Sequence, residues 1–269
     1  MPEPDTALYL FCFARPSLDP LPNTPGVEET SRVVVQNFPA AAAVLCEVSV
    51  HDFCGPAAER RLQDLAWVGP RACRHEQVIE QIMRLSPVLP ARFGTLFSSL
   101  TRLREFVDGH SKAIAGFLRR VEGHQEWGVK AVLDRDKARE APVSEEQEAR
   151  LAALPEGTRY IQQQRMRAER EKSLRRRVQE VCQRVAGDLR SQAAAFAERK
   201  VVPGADDEDG PVETLLNWAF LLPQDCVAVF REAVEQANRK QAGQGLSFHA
   251  SGPWPPYSFA PPLGMEGRS

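Results

Sequence analysis

The stretch Pro87-Val88-Leu89-Pro90-Ala91-Arg92-Phe93-Gly94-Thr95 decides how the first part of this 269-residue chain is interpreted. Its leading proline ends the preceding helix, because the residue before a proline is pushed out of the α region. Apolar residues then alternate, which predicts a strand from Pro87 to Phe97. Arg92 falls in the middle of that strand, on a face that it shares with Val88 and Leu96.

An arginine on an apolar strand face needs a partner. An unpaired buried charge costs several kcal/mol, a large part of a domain stability of about 5–15 kcal/mol. The carboxylates of Glu47, Glu76 and Glu80 are the candidate partners. We therefore expect an internal ion pair that fixes the domain, in preference to an arginine that binds a ligand.

The elements around this run predict an α+β domain over residues 1–124. Ala7 to Ala14 is apolar on both alternating faces, which indicates a central strand covered on both sides. The further strands and helices follow from β-branched runs and from apolar spacing of three and four: strands at Arg32 to Val35 and Ala42 to Val48, and helices around Leu62, from His75 to Leu85 and from Leu100 to Val121. We expect a mixed sheet with helices on one face.

The rest of the chain, residues 125–269, predicts a ferredoxin-like βαββαβ domain. Its elements are a strand at Trp127 to Leu133, a long helical region, strands at Lys200 to Val202 and Thr214 to Leu222, a helix at Gln224 to Lys240 and a strand at Leu246 to Ala250. An aromatic-proline tail ends the domain. From Ser251 to Phe259 it holds three aromatic residues, which favours docking on the protein itself with Trp254 as the anchor. An exposed polyproline-type ligand is the alternative.

The long helical region carries two signals. Its second half has an apolar stripe that can pack on the sheet, formed by Leu174, Val178, Val181, Val185, Leu189, Ala193 and Phe196. Its first half, Gln162 to Ser173, is polar on almost every face, so we expect it to project, or to pair with Ser144 to Leu154 in a helical hairpin arm. The basic cluster on this helix comprises Arg165, Arg167, Arg170, Lys172, Arg175, Arg176 and Arg177. Glu169 and Glu171 interleave with it, which favours a solvated face over nucleic-acid binding.

Composition excludes several classes of protein. A formal net charge of −2 gives no overall attraction to nucleic acid or anionic lipid. The acidic opening residues and the short apolar runs argue against a signal peptide and a membrane span, so we expect a cytoplasmic protein. The six cysteines include no Cys-x-x-Cys pair, which predicts reduced thiols and no structural zinc.

No constellation of catalytic residues is visible, and we expect no cofactor and no metal. His75 lies on an apolar helix face with no second ligand three or four residues away, so a core or capping histidine is a better interpretation than a metal ligand. The Asp206 to Gly210 run lacks the spacing of a calcium loop. The alternative function from another class is a thiol-dependent hydrolase or transferase that uses Cys54 with His51 or His75.

Three separated motifs give this chain a resemblance to the gas vesicle protein L/F family. They are the Pro87 to Thr95 run, Glu126-Trp127-Gly128-Val129-Lys130, and Ser251 to Phe259, in this order. The matching positions are His75, Pro90, Arg92, Phe93, Gly94, Trp127, Gly128, Gly252, Pro253, Trp254, Pro255, Pro256, Tyr257 and Phe259. The opening strand runs Leu10-Phe11-Cys12-Phe13-Ala14-Arg15, where the family resemblance implies a more Tyr- and Gly-rich run that ends in isoleucine, so both subtypes, F and L, stay open.

The resemblance implies a two-domain α+β accessory protein of gas vesicle formation that is not an enzyme. It would act in the cytoplasm and at the gas vesicle, by binding the small hydrophobic shell protein, other accessory proteins, or both. An RNA-binding adaptor that uses the basic helix is a further alternative, and it would show an affinity that falls steeply with salt.

Overall fold

The computed structural model describes residues 6–19, 21, 23–139, 154–201 and 212–264. Contacts divide the chain into two compact units, Met1–Glu126 with Pro253–Ser269, and Trp127–Gly252. The α+β class with two sheets is confirmed. The predicted domain boundary between residues 124 and 125 differs from this grouping mainly in the C-terminal tail, which is grouped with the first unit. The boundary stays a prediction.

The first unit contains a five-stranded sheet in which β4 and β5 both pair with β1, and the order of the path is β2-β3-β1-β4. Its elements are β1 Thr6–Ala14, β2 Val34–Asn37, β3 Ala42–Ser49, α1 Val50–Phe53, α2 Pro56–Leu62, α3 Leu65–Met83, β4 Val88–Pro90, β5 Leu96–Phe97 and α4 Leu100–Val121. Each pairing among these strands is antiparallel. The expected mixed sheet was therefore wrong. Helices α1 to α3 connect β3 to β4, but these two strands do not pair with each other, because β1 lies between them and pairs with each in the antiparallel direction.

Strand β1 is covered on both faces, as its sequence predicted. Tyr9 and Phe11 belong to the core that includes Val78 of α3, whereas Phe13 stacks on Phe106 of α4 at 6.2 Å. A register shift between Leu10 and Cys12 changes which face the later residues occupy. Helices therefore cover both faces and not one, because a strand that is apolar on both sides needs a layer on each.

The Pro87 to Phe97 run is two short strands with a turn between them, and not one strand. Gly94 has a φ of 82°, a left-handed conformation that interrupts a strand. Arg92 lies in this turn and is exposed. The expectation of a buried guanidinium was wrong, because the turn directs Arg92 out of the sheet and its carbonyl accepts hydrogen bonds from the Thr95 amide and hydroxyl.

The second unit contains a four-stranded sheet of order β7-β8-β6-β9. Its elements are β6 His124–Asp134, α5 Arg135–Arg139, α6 Glu156–Arg190, β7 Ala195–Arg199, β8 Val212–Pro223, a 3₁₀ turn Gln224–Cys226, α7 Val227–Lys240 and β9 Leu246–Trp254. A second 3₁₀ turn, Tyr257–Phe259, lies in the tail. Apart from the short α5, the order is β-α-β-β-α-β, and the ferredoxin-like classification stays a prediction.

Helix α6 ends at Arg190, earlier than the apolar stripe suggested. Phe196 belongs to strand β7, where it pairs with Phe220 of β8. The predicted strand at Lys200 to Val202 was accordingly placed too late, because pairing with β8 overrides the helix preference of the alanines around residue 194. The Ser144 to Leu154 helix of the expected hairpin and the Asp206 to Gly210 loop lie outside the described residues, except for Leu154.

The two halves of α6 differ as expected. Leu174, Val181 and Leu189 are buried on the sheet. Residues from Gln162 to Lys172 are exposed, except for the half-buried Met166 and Glu171. The first part of this helix therefore projects beyond the sheet, as far as the described residues show.

Replacing Gly245 by alanine tests the packing at the start of β9. Gly245 has a φ of 75°, and a Cβ there would lie 2.5 Å from the Asp134 carbonyl oxygen and 2.7 Å from the Ala138 amide nitrogen. Gly243 has a similar φ of 77° but open space around it. We expect Gly243→Ala to cost about 1–2 kcal/mol of unfolding free energy for the backbone conformation. Gly245→Ala should cost about 1–3 kcal/mol more for the overlap. Equal costs in chemical denaturation would contradict the close approach.

Candidate functional sites

A buried hydrogen-bond network in the first unit centres on His75, which is 1% exposed. Helix α3 presents the ring to β1, where it stacks on Phe11 at 5.6 Å. Its Nδ1 lies 2.8 Å from the Tyr9 hydroxyl. Its Nε2 lies 3.1 Å from the Ala91 carbonyl oxygen and 3.2 Å from the Tyr257 hydroxyl. His75 is therefore a core residue, and both of its ring nitrogens are engaged.

One proton arrangement satisfies the whole network. A carbonyl oxygen only accepts, so His75 Nε2 carries the hydrogen and Nδ1 accepts from the Tyr9 hydroxyl. The Tyr9 oxygen in turn accepts from the Gly94 amide at 3.3 Å. Burial raises the pKa of Tyr9 and lowers the pKa of His75 to about 4, against the opposing effect of the Ala91 carbonyl. The neutral imidazole is therefore the form that the fold accommodates.

The tail joins this network through Tyr257. Its hydroxyl donates to Glu76 Oε1 at 2.8 Å. Burial, and next the charge of Glu76, raise the pKa of Tyr257, so its hydroxyl stays protonated. Burial raises the pKa of Glu76 as well, although the Tyr257 hydrogen bond acts in the opposite direction. The tail is therefore held by a charge-assisted hydrogen bond from the Tyr257 hydroxyl to Glu76, and the same hydroxyl oxygen faces Nε2 of the neutral His75.

A second buried carboxylate also holds the tail. Glu126 is 1% exposed and accepts from the Ser258 amide at 3.1 Å and from the Ser258 hydroxyl at 2.9 Å. Pro255 and Pro256 are buried, whereas Trp254 is 41% exposed. The tail does dock on its own chain, but the expectation that Trp254 is its anchor was wrong, because the polar contacts at Tyr257 and Ser258 and the two prolines carry the docking.

The network brings together parts of all three sequence motifs. Ala91 and Gly94 come from the first motif, Glu126 from the second, and Tyr257 and Ser258 from the tail. Of the other matching positions, Pro90 ends β4, Phe93 packs 5.9 Å from the His75 ring, and Phe259 lies in the tail's 3₁₀ turn. Arg92 is exposed in its turn, and Gly252, Pro253 and Trp254 lie in the last residues of β9.

Trp127 and Gly128 lie in β6, within the second unit. Arg231 sits 5.8 Å above the buried Trp127 ring. A Cβ at Gly128 would lie 3.3 Å from the Ser251 hydroxyl, so this glycine accommodates a neighbouring strand. The sequence interpretation missed Tyr9 and Glu126 as network members. The signal for Tyr9 was a polar group inside a strand that is otherwise almost entirely apolar. Glu126 gave no such signal, because its strand also contains other polar residues.

Tyr257→Phe should destabilise the first unit by about 1–3 kcal/mol. The change removes only the hydroxyl, and it leaves the half-buried Glu76 carboxylate without this donor. Tyr160→Phe is the matched control, because Tyr160 is 63% exposed, and it should change the stability by less than about 0.5 kcal/mol. Urea denaturation measures both variants. An unchanged midpoint for Tyr257→Phe would mean that the Ser258 hydrogen bonds and the prolines hold the tail without the Tyr257 hydroxyl.

A groove in the second unit is the other candidate site. It has a volume of about 730 Å³ and runs between α6 and the sheet. Its apolar lining comprises Leu133, Leu174, Val178, Cys182, Ala186, Leu215, Leu216 and Trp218. Four of these residues recur every fourth position along α6, and two of them, Leu174 and Val178, belong to the stripe that the sequence predicted. The sequence interpretation missed the groove because the lining from β6 and β8 comes from distant parts of the chain.

The charged residues that line the groove pair with one another. Arg135 contacts Glu171 at 3.1 Å and also bonds to Glu213. Hydrogen bonds with Glu213, opposed by partial burial and assisted by Glu171, raise the pKa of Arg135. Arg175 contacts the same Glu171 at 3.3 Å. At the other end, Arg190 lies 3.7 Å from Glu198. Among the described residues that line the groove, these three arginines and three glutamates balance in charge.

Comparison with known proteins identifies the family. The family described as gas vesicle synthesis protein GvpL/GvpF matches residues 7–261 of this chain. The chain belongs to the gas vesicle GvpL/GvpF family. It is 31% identical over 225 residues to gas vesicle protein L of Streptomyces sp. (strain CB03234), covering 81% of this chain and 79% of that protein. It is 24% identical over 221 residues to gas vesicle protein F of Dolichospermum flosaquae, covering 78% of this chain and 85% of that protein.

Two crystal structures of GvpF proteins share the fold of this GvpL/GvpF member. The structure from Anabaena sp. PCC7120 matches with a TM-score of 0.68 at 20% identity, over 95% of this chain and 98% of that one. The structure from Microcystis aeruginosa matches with a TM-score of 0.64 at 20% identity, over 95% of this chain and 99% of that one. At this identity the likeness supports the α+β fold and no finer conclusion.

Membership of the GvpL/GvpF family supports a role in gas vesicle assembly. The family consists of structural and accessory proteins and is not a known enzyme family. None of the helices among the described residues is long and apolar enough to cross a membrane. Within the same residues, no group of three or more His, Cys, Asp or Glu side chains is placed to hold a metal ion.

The geometry gives little support to the thiol and RNA alternatives. The buried His75 already uses both ring nitrogens, so it cannot activate the exposed Cys54 thiol. The pairing of Cys54 with the exposed His51 stays an untested alternative. In the basic cluster of α6, Arg175 pairs with Glu171, and Arg176 lies 4.0 Å from Glu180. This pairing of charges is typical of a solvated helix face.

Proposed function

We propose that this protein serves gas vesicle assembly by binding the small hydrophobic shell protein, other accessory proteins, or both, and that it does so without catalysis. It would act in the cytoplasm and at the growing vesicle. Family membership supports the role in assembly. The partners and the binding mechanism are the proposal.

The groove of the second unit is the observation that carries this proposal. Its walls are apolar, and its charged residues are already paired, so a partner gains by covering apolar surface and not by supplying charge. A shell protein with extensive apolar surface needs such a receiver during assembly. Catalysis lacks a comparable observation, because the buried His75 network is closed on itself.

A pull-down of purified shell protein and accessory proteins by this chain tests the proposal. We expect capture that persists from about 0.1 to 1 M salt, since apolar contacts are not screened. A loss of capture at high salt would instead indicate the basic cluster of α6. In a host that makes vesicles, deletion of the gene should abolish or malform them. Normal vesicles in the deletion strain would exclude an essential assembly role.

A further inference from the structure

The dimensions of the groove limit what can occupy it. Its lining extends along α6 from Glu171 to Arg190, which is about 28 Å at 1.5 Å per residue. The cavity left by one leucine side chain is about 150 Å³, so a volume of about 730 Å³ accepts about five side chains of that size. The occupant is therefore long and narrow, with a single row of inserted apolar groups.

The charges at the rim indicate that this row is uncharged. Arg135 and Arg175 share Glu171, and Arg190 pairs with Glu198. An inserted charge would have to break one of these pairs or remain unpaired beside Leu174 and Trp218, at a cost of several kcal/mol. Gln179 and Gln183 at the lip offer neutral hydrogen-bond partners to polar groups that stay outside.

The backbone of the occupant favours a helix over an extended strand. The apolar wall opposite α6 comes from β6 and β8, the two inner strands of the order β7-β8-β6-β9, and the edge strand β7 contributes Glu198 at one end. A buried extended segment needs a free sheet edge for its amides and carbonyls, whereas a helix satisfies its own backbone. A helix of about 28 Å has about 18 residues and presents about five side chains at spacings of three and four. That number agrees with the volume.

We propose that this groove binds an amphipathic helix of a partner protein, through a row of about five uncharged apolar side chains. The identity of the partner rests on the proposed function. The helical, uncharged character of the bound segment rests on the groove itself. The bound helix lies along α6 between the Arg135–Glu171–Glu213 group and the Arg190–Glu198 pair.

A synthetic peptide of about 18 residues serves as the probe. It carries leucine at helical spacings of three and four, with alanine and glutamine elsewhere and blocked ends. A peptide of the same composition with the leucines at alternate positions, as on a strand, is the matched control. We expect calorimetry to detect the helical peptide with an affinity at least about tenfold higher than that of the alternating one, and with little dependence on salt.

Two variants of the full chain place the binding in the groove. Val178→Glu puts a charge on the groove wall, and Val229→Glu makes the same change on α7 at a position that is 62% exposed and outside the lining. Gln179→Trp fills the groove from an exposed position without disturbing the core, and Gln163→Trp is its control on the exposed part of α6. The two groove variants should weaken peptide binding at least about tenfold, and their controls less than about twofold.

Several outcomes would overturn the inference. Equal peptide binding after Gln179→Trp would reject the groove as the binding site. Tighter binding of the alternating peptide would reject a helix as the bound segment. Binding that tightens more than about tenfold when residues 141–152 are deleted would show that the chain's own segment occupies the groove. A dimer in analytical ultracentrifugation that Gln179→Trp dissociates would assign the groove to a second copy.

The proposed function can fail independently of this inference. If wild type and Gln179→Trp capture shell protein equally, the groove inference is wrong and the proposed function stands. If the helical peptide binds in the groove but wild type captures neither the shell protein nor an accessory protein, the proposed function is wrong and the groove inference stands.

Discussion

His75→Ala is expected to lower the free energy of unfolding of the first unit by about 3–5 kcal/mol. The change removes a fully buried ring that contacts Phe11 and Phe93, and it leaves a cavity between α3 and β1. It also leaves the Tyr9 hydroxyl and the Ala91 carbonyl without their shared partner. Each buried polar group that loses its partner costs about 1–3 kcal/mol. Urea denaturation followed by near-UV circular dichroism measures the effect.

His110→Ala is the matched control for this change. His110 is also a helical histidine stacked on a phenylalanine, at 4.3 Å from Phe106, but it is half-buried. We expect a loss of about 1 kcal/mol or less from it, because solvent fills the space and solvates the exposed backbone. Equal losses from the two variants would contradict a specific role for the His75 network.

Acid is expected to destabilise the first unit between pH 6.5 and about 4, through His75. The folded-state pKa of His75 is lowered from 6.5 to about 4. In this window the unfolded chain binds a proton that the folded chain does not, so stability falls as the pH falls, and the contribution of His75 levels off below about pH 4. The difference of about 2.5 pKa units corresponds to at most about 3 kcal/mol.

Glu76 opposes this effect. Burial raises its pKa, so the folded chain takes up a proton before the unfolded chain does, and stability rises as the pH falls through that range. The net loss is therefore smaller than the contribution of His75. His75→Gln cannot titrate, so its stability should fall less steeply from pH 6.5 to 4 than that of wild type. Parallel curves for the two proteins would assign the acid sensitivity to other groups.

The elements with a long, regular pattern were predictable from sequence. Strand β1 and helix α4 were predicted within a residue, because each one shows its period over its whole length and is closed by a capping or breaking residue such as Gly123. The order of strands and helices in the second unit was predictable for the same reason. The turn at Arg92 was missed, because apolar alternation continues through it and only the φ of Gly94 interrupts the strand.

The candidate sites show the same division. His75 was recognised as a core histidine from its place on an apolar helix face. Its partners Tyr9 and Tyr257 are separated from it by 66 and 182 positions, so no local pattern connects them. The groove was not predictable, because the sequence shows only the stripe on α6, and the opposite wall comes from β6 and β8.

The sequence by itself determined the family, the α+β class and the exposed and buried halves of the long helix. These features depend on local periodicity and on motifs that stand in a fixed order along the chain. Tertiary structure alone decided that Arg92 lies outside, that Phe196 is in a strand, that Tyr257 and Ser258 hold the tail in place of Trp254, and that a groove remains beside α6. The physical reason is that burial and hydrogen bonding are properties of groups that meet across long separations in sequence, where local preferences carry no information.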